Sequence, residues 1–289
     1  MSQTIRLGIS TCPNDTFTFH ALMERKVDWR GLEFHVELMD VEELNTRLFA
    51  GDFDVAKASF HAALLLADKL GVLPTGSALG YGVGPLLLAA RDATHPRDMV
   101  VNPDGTLRPS RILCPGEHTT ATLLYRMFHR GEGELQQAVF FEIMPALQAA
   151  TADFGVCIHE GRFTWREQGL ALVEDLGTVW EQATAAPLPL GGILARHRLG
   201  AETLERVQRV LRDSLDYALA HRDEALVTMR RYAQEFSDDV LFAHVDLYVN
   251  EWTQELGSVG RDALTQLADQ AAAAGIVPTG LRRLEIVGQ

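Results

Sequence analysis

Two stretches a hundred residues apart carry one pattern: Asn45-Thr-Arg-Leu-Phe-Ala-Gly-Asp-Phe-Asp-Val-Ala-Lys-Ala-Ser59 and Pro145-Ala-Leu-Gln-Ala-Ala-Thr-Ala-Asp-Phe-Gly-Val-Cys-Ile-His159. Each reads as a helix end, an Asp, a short apolar strand, and a polar side chain where the strand runs out. An internal copy of this kind constrains the chain to two related α/β halves. With the halves facing each other, Ser59 and His159 are expected to look into one cleft from opposite walls.

The flanking sequence extends both copies. Ile5–Ser10 suits a buried strand, Pro13 to Met23 a helical run, Leu32–Met39 a strand, Val41–Ala50 a helix closed by Gly51, and Phe53–Ala58 a third strand. Strands alternating with helices point to a parallel sheet covered on both faces. The second series runs from the strand Arg111–Cys114 through a helix over Thr119–His129, a strand Val139–Ile143, a helix Pro145–Ala150 and a strand Phe154–Ile158. Gly80–Ala90 and Pro187–Arg196 read as strands crossing between the halves; Pro85 and the apolar run after it exclude a dinucleotide-binding loop. Asn102-Pro-Asp-Gly105 is a surface turn signature. The remainder is helical, with one stripe from Leu204 to Leu219 and another over Val240–Trp252 capped by Ser237.

The expected architecture is therefore an α/β, two-lobed, periplasmic-binding-protein-like type II fold. Residues 1–90 and 187–289 form the first lobe, with the C-terminal helices packed on it. Residues 91–186 form the second, and ligand is held in a cleft between them.

Composition narrows the function. A length of 289 residues with 47% hydrophobic content suffices for two cores. A net charge of -13 argues against a nucleic-acid partner, but it leaves open a small anion held on local peptide N–H groups. The N-terminus lacks a leader's apolar segment and no apolar run is long enough to span a bilayer, so a cytoplasmic protein without a membrane partner is expected. Cys12, Cys114 and Cys157 are odd in number and lack CxxC spacing; they read as small buried hydrophobes. Neither a phosphate loop, a nucleophile elbow nor a metal-ligand motif occurs, and His20, His35, His61, His118 and His129 are scattered, so no metal or cofactor is expected.

Candidate site residues lie where strands give way to helices. Gly116-Glu-His-Thr-Thr-Ala121 places Thr119 and Thr120 at a helix start, suited to a carboxylate or to capping alone. Asn14, Asp15 and Thr16 occupy the matching turn of the first half, as ligand contacts or as caps behind Pro13. Strand alternation sends Lys57 and Ser59 to one side and Ala58 to the other, toward ligand or solvent. His159 leaves a buried strand with Glu160 and Arg162 close behind, either of which could hold the imidazole for proton transfer.

Ser10-Thr-Cys-Pro-Asn-Asp-Thr-Phe17, Leu79-Gly-Tyr-Gly-Val-Gly-Pro-Leu86, Gly116-Glu-His-Thr-Thr-Ala121, Ile158-His-Glu-Gly-Arg-Phe-Thr164 and Leu188-Pro-Leu-Gly-Gly192 occur in the order found in 1,4-dihydroxy-6-naphthoate synthases of the futalosine route to menaquinone. The chain resembles that family from about Ile5 to Tyr248 at least. The resemblance implies a cofactor-independent carbon–carbon lyase acting on cyclic dehypoxanthinyl futalosine, a small anionic substrate, with His159 as proton acceptor. It also places substrate contacts on Lys57, Ala58, Ser59, Thr120 and Ala121. Chorismate dehydratase, of the same route and fold, is the nearest alternative, though Ile158-His-Glu160 favours the synthase; a non-catalytic solute-binding protein is the other.

Overall fold

The computed structural model describes residues 3–90, 95–102, 104–159, 161–233 and 237–289. The first stretch alternates strand and helix: β1 (Gln3–Ser10), α1 (Pro13–Thr18), α2 (His20–Met23), β2 (Leu32–Met39), α3 (Val41–Ala50), β3 (Val55–Ser59), α4 (Phe60–Leu66), β4 (Leu70–Val72) and β5 (Ala78–Gly80). The second holds β6 (Leu86–Ala89), β7 (Met99–Val101), β8 (Leu107–Pro109), β9 (Arg111–Cys114), α5 (Thr120–Phe128), β10 (Glu134–Gln137), α6 (Phe140–Gln148), β11 (Phe154–Cys157), α7 (Gly161–Thr164), β12 (Ala171–Asp175) and α8 (Leu176–Thr184). β13 (Leu188–Arg196) returns to the first sheet, and α9 (Ala201–Ala220), α10 (Arg222–Tyr232), α11 (Asp238–Tyr248), α12 (Glu251–Gln254) and α13 (Gly257–Ala273) complete the chain.

The chain divides into two units, residues 1–80 with 189–289 and residues 81–188. The first boundary falls at Gly80 rather than 90 because β5 pairs with β13, whereas β6 pairs with β11 and β12. Gly84, between them, marks a close approach: a Cβ there would stand 2.2 Å from the Cα of Gly177.

Each unit carries one main sheet, and the two share an order: β2-β1-β3-β13-β4 in the first and β10-β9-β11-β6-β12 in the second. The first three strands of each are parallel, and the fourth runs against them. Both sheets are buried against apolar side chains. In the first unit Ile5, Leu7, Ile9, Val55 and Ile193 pack with Val207, Val210 and Leu211 of α9, and Phe17 of α1 packs with α10 and α11. The C-terminal helices thus cover the first sheet. In the second unit Leu86, Leu88, Ile143, Leu147 and Cys157 share one core.

The hydrogen bonds fix the repeat at a spacing of 99 residues. Gly51 N–H donates to Leu48 O and Asp52 N–H to Arg47 O; in the second unit Ala150 donates to Leu147 and Thr151 to Ala146. Asp54 N–H donates to Arg6 O, and Asp153 N–H to Arg111 O. The sequence pattern is one residue out: Ser59 matches Ile158, and His159 matches Phe60. A short apolar strand tolerates such a shift in reading, but a parallel ladder does not.

Other sequence expectations also move. Val139–Ile143 is not a strand; it caps and opens α6, whose Ile143 and Leu147 face the core four residues apart while Phe141 is exposed. The second unit's edge strand is the polar β10, which carries no apolar run to mark it. The run from Pro13 to Met23 breaks at Phe19, where Thr16 and Thr18 hydroxyls donate back to Cys12 O and Asn14 O. β7 and β8 pair as a hairpin; Pro103, of the expected turn Asn102–Gly105, lies outside the described residues.

Asp54 and Asp153 anchor these registers. Asp54 accepts from Arg6 N at 3.0 Å and Nε at 3.3 Å, and Asp153 accepts from Arg111 N at 2.7 Å and Arg108 Nη1 at 2.6 Å. Burial opposes ionisation of both carboxyls, but these bonds, with Arg198 on Asp54, outweigh it and hold both below the usual carboxylate range. Their stabilisation is thus complete above the unfolded-state value of about 3.9 and lost as pH falls through the lower folded-state value. Asp153→Asn is expected to lower the melting temperature at pH 7 and to narrow its gap to wild type as the buffer is taken toward pH 2; parallel melting curves for the two proteins at every pH would refute the linkage.

Candidate active site

The parallel strands of the first unit deliver a group of polar side chains to the carboxyl ends of β1 and β3. Ser10, Asn14, Asp15, Asn45, Lys57 and Ser59 are each no more than 9% exposed. Such burial requires that their polar atoms be satisfied by one another. Lys57 Nζ lies 2.7 Å from Asp15 Oδ1, with both side chains buried, and donates a longer bond of 3.4 Å to Gly76 O. Ser10 Oγ donates to Asp15 Oδ2 at 2.6 Å and Asn14 Nδ2 donates to Oδ1 at 3.1 Å. The lysine that strand alternation brings out of β3 therefore meets a carboxylate supplied by the first turn of α1.

Ser59 belongs to a second pair. Its N–H donates to Asn45 Oδ1 at 3.0 Å, and Asn45 Nδ2 donates to its Oγ at 3.2 Å. Ala58, between Lys57 and Ser59, is fully buried. Asn45 and Ser10 escaped the sequence analysis. For Asn45 the signal was present: a polar residue on the face of α3 that also turns Leu44 and Leu48 inward.

In the second unit, Thr119 is the N-cap of α5. Its hydroxyl accepts from Thr122 N–H at 3.2 Å and donates to Gly116 O at 2.8 Å, so the capping reading holds for this residue. Thr120 and Ala121 follow as the first helical residues, both buried; their N–H groups fall where a helix offers no internal acceptor. His159 stands just beyond β11. Because β11 and β9 are parallel neighbours, its loop and the Thr119 turn leave the same end of one sheet.

His159 is half-buried, with its ring edge-on to Phe140 at a centroid distance of 4.8 Å. Its φ of 56° is left-handed, an uncommon setting for a residue with a Cβ. This ends the strand's alternation, and His159 O accepts from Arg162 N–H at the start of α7. Arg162 itself reaches Asp175 Oδ2 at 2.7 Å and Gly84 O at 2.6 Å. Glu160, the other residue expected to hold the imidazole, lies outside the described residues.

All three cysteines are free and buried; burial pushes the Cys114 and Cys157 thiols up to about 12, which leaves them inert near neutrality. His129 is not isolated, as the sequence suggested, but lies beside His95 and Glu132. No helix among the described residues is long and apolar enough to cross a membrane.

Two sheets of this order define a periplasmic-binding-protein-like fold. The alkanesulfonate-binding protein SsuA from Xanthomonas axonopodis pv. citri, bound to MOPS, shares this fold with a TM-score of 0.72, at 14% identity over 98% of each chain. The AF1704 protein of Archaeoglobus fulgidus superposes with a TM-score of 0.87 at 31% identity, over 95% of this chain and 98% of its own. Among curated relatives, proteins named 1,4-dihydroxy-6-naphthoate synthase match at 39% identity in Thermus thermophilus, over 98% of this chain and 99% of the relative, and at 37% in Streptomyces coelicolor, over 96% of each. Residues 5–273 match the menaquinone biosynthesis family, and the chain belongs to it.

The buried Asp15–Lys57 pair yields a stability test. Asp15→Ala leaves an uncompensated buried ammonium and is expected to cost about 3–5 kcal/mol in denaturant unfolding. Adding Lys57→Met should recover most of that loss; a double variant no more stable than Asp15→Ala alone would show that the charge is not the cause.

Proposed function

We propose that the protein is a 1,4-dihydroxy-6-naphthoate synthase, a carbon–carbon lyase that converts cyclic dehypoxanthinyl futalosine to the naphthoate and releases a sugar-derived fragment. His159 would act as the base. The observation that carries this reading is the half-buried His159, held in left-handed backbone at the carboxyl end of β11, in a chain that aligns end to end with synthases of that name. A strained residue kept at a strand end is a reason to look for function there.

The chemistry follows from the groups. An imidazole titrates near neutrality and accepts a proton as the ring fragment aromatises and the sugar part leaves. The substrate carboxylate would dock on the first-turn N–H groups of α5 beside Thr120 and Ala121, with Thr119 holding the helix start. Lys57, Ala58, Ser59 and Asn14 would be further substrate contacts. Among them, Asp15 fixes the position of the Lys57 Nζ, and Asn45 orients the Ser59 hydroxyl. Small molecules rather than macromolecules are the expected partners, in the cytoplasm.

Incubating the protein with the cyclic futalosine and resolving products by chromatography tests the activity; absence of the naphthoate would exclude it. Two substitutions at His159 separate backbone from imidazole. His159→Ala and His159→Gly should both lower turnover by about 10²–10⁴-fold, while Gly, free of the left-handed penalty, is expected to be about 1–2 kcal/mol more stable than Ala. Turnover near wild type in either would remove the imidazole from catalysis. Thr120→Val should raise KM with little change in melting temperature, and an unchanged KM would count against carboxylate docking at α5.

A further inference from the structure

At the other end of α5, the second unit brings together a set of side chains that the reaction does not use. His129 caps the helix C-terminus and is 5% exposed. Its Nδ1 lies 2.8 Å from Glu132 Oε2, and its Nε2 lies 2.8 Å from Glu174 Oε2. His95 Nδ1 stands 3.5 Å from the same Glu132 oxygen. One ligand atom from each of His95, His129 and Glu132 falls within 4.8 Å of the others. These residues come from the connection after β6, the C-cap of α5, the turn before β10, and β12.

Both ring nitrogens of His129 face carboxylate oxygens at hydrogen-bond distance, Nδ1 at Glu132 and Nε2 at Glu174, and His95 turns its Nδ1 to the same Glu132 oxygen. Two imidazoles and a carboxylate converging in this way form a donor set suited to a metal ion. A carboxylate accepting from the far nitrogen of a histidine also sets the ring for metal ligation, since it fixes the tautomer and raises ligand basicity. His95 Nδ1 accepts a long bond of 3.4 Å from Arg97 N–H, which a metal would displace.

We propose that His95, His129 and Glu132 bind a divalent transition metal of the zinc type, with Glu174 orienting His129. Two imidazoles and a carboxylate suit Zn²⁺, with water as a fourth ligand. Tetrahedral ligands about 2.0–2.1 Å from a metal stand roughly 3.3 Å apart, so on binding the 2.8 Å pair of His129 and Glu132 would open and the set, now spread within 4.8 Å, would draw together. α5 rises about 1.5 Å per residue, which sets its C-terminus far from the Thr120 turn. The metal is therefore structural, tying the connection after β6 to α5 and β12.

The test uses the untagged full chain, stripped with a chelator and titrated with Zn²⁺ alone. Equilibrium dialysis with metal analysis should give one bound ion per chain, and melting temperature should rise with Zn²⁺; Co²⁺ in its place should show a visible spectrum of imidazole-ligated metal. His95→Ala, which removes a ligand without opening the packing of α5, should abolish uptake. Glu174→Gln should weaken affinity about 10–100-fold, and His35→Ala, an exposed histidine of the other unit, should change nothing. Uptake undiminished in His95→Ala, or no uptake by the wild type, would overturn the proposal.

Discussion

An aspartate ahead of the third strand fixes each half of this protein. Asp54 and Asp153 both donate their amide to, and accept with their carboxylate from, one residue of the neighbouring strand. A two-point bond of this kind sets the register of β3 on β1 and of β11 on β9. Because a slip of one residue would turn every side chain of the strand to the other face, the placement of Lys57, Ser59 and the His159 turn depends on it.

Where the hydrophobic period is local and unambiguous, the sequence alone discloses the structure. β1, β2, α3 and β9 follow from runs and spacings that only one period fits, and Gly51 stops α3 where its left-handed φ of 95° ends the helix. Features set by partners distant in sequence were not legible. β10 is an edge strand of polar residues whose identity comes from β9, and the apolar run after it serves a helix because Ile143 and Leu147 share a core. The same holds at the candidate site. Lys57 demanded a partner, but nothing local named Asp15, and nothing in the sequence of α5 announces His95 or Glu174 as neighbours of its last residue.

The repeat shows how one skeleton takes on different chemistry. At a spacing of 99 residues, the hydrogen-bonded Asn45 and Ser59 correspond to Met144 and Ile158, so the polar pair of the first unit has apolar counterparts in the second. In place of Phe60, which is fully buried, the second unit presents His159, and its left-handed backbone takes the side chain off the path that strand alternation would impose. A histidine set in left-handed backbone at the carboxyl end of one sheet, and a lysine paired with a buried carboxylate at the carboxyl end of the other, are the groups on which the proposed reaction would draw.

Helix α5 links the two proposals made for the second unit. Its peptide dipoles sum to a partial positive charge at Thr120 and a partial negative charge at Phe128. The first end therefore favours an anion, which is why a substrate carboxylate suits the Thr119 turn. The second end favours a cation, and there His129 sits among Glu132, Glu174 and His95. Two carboxylates beside a helix C-terminus oppose the dipole unless positive charge is supplied, which the proposed metal ion would do. One helix would then carry an anion at its first turn and a cation at its last, each matched to the sign of the dipole there.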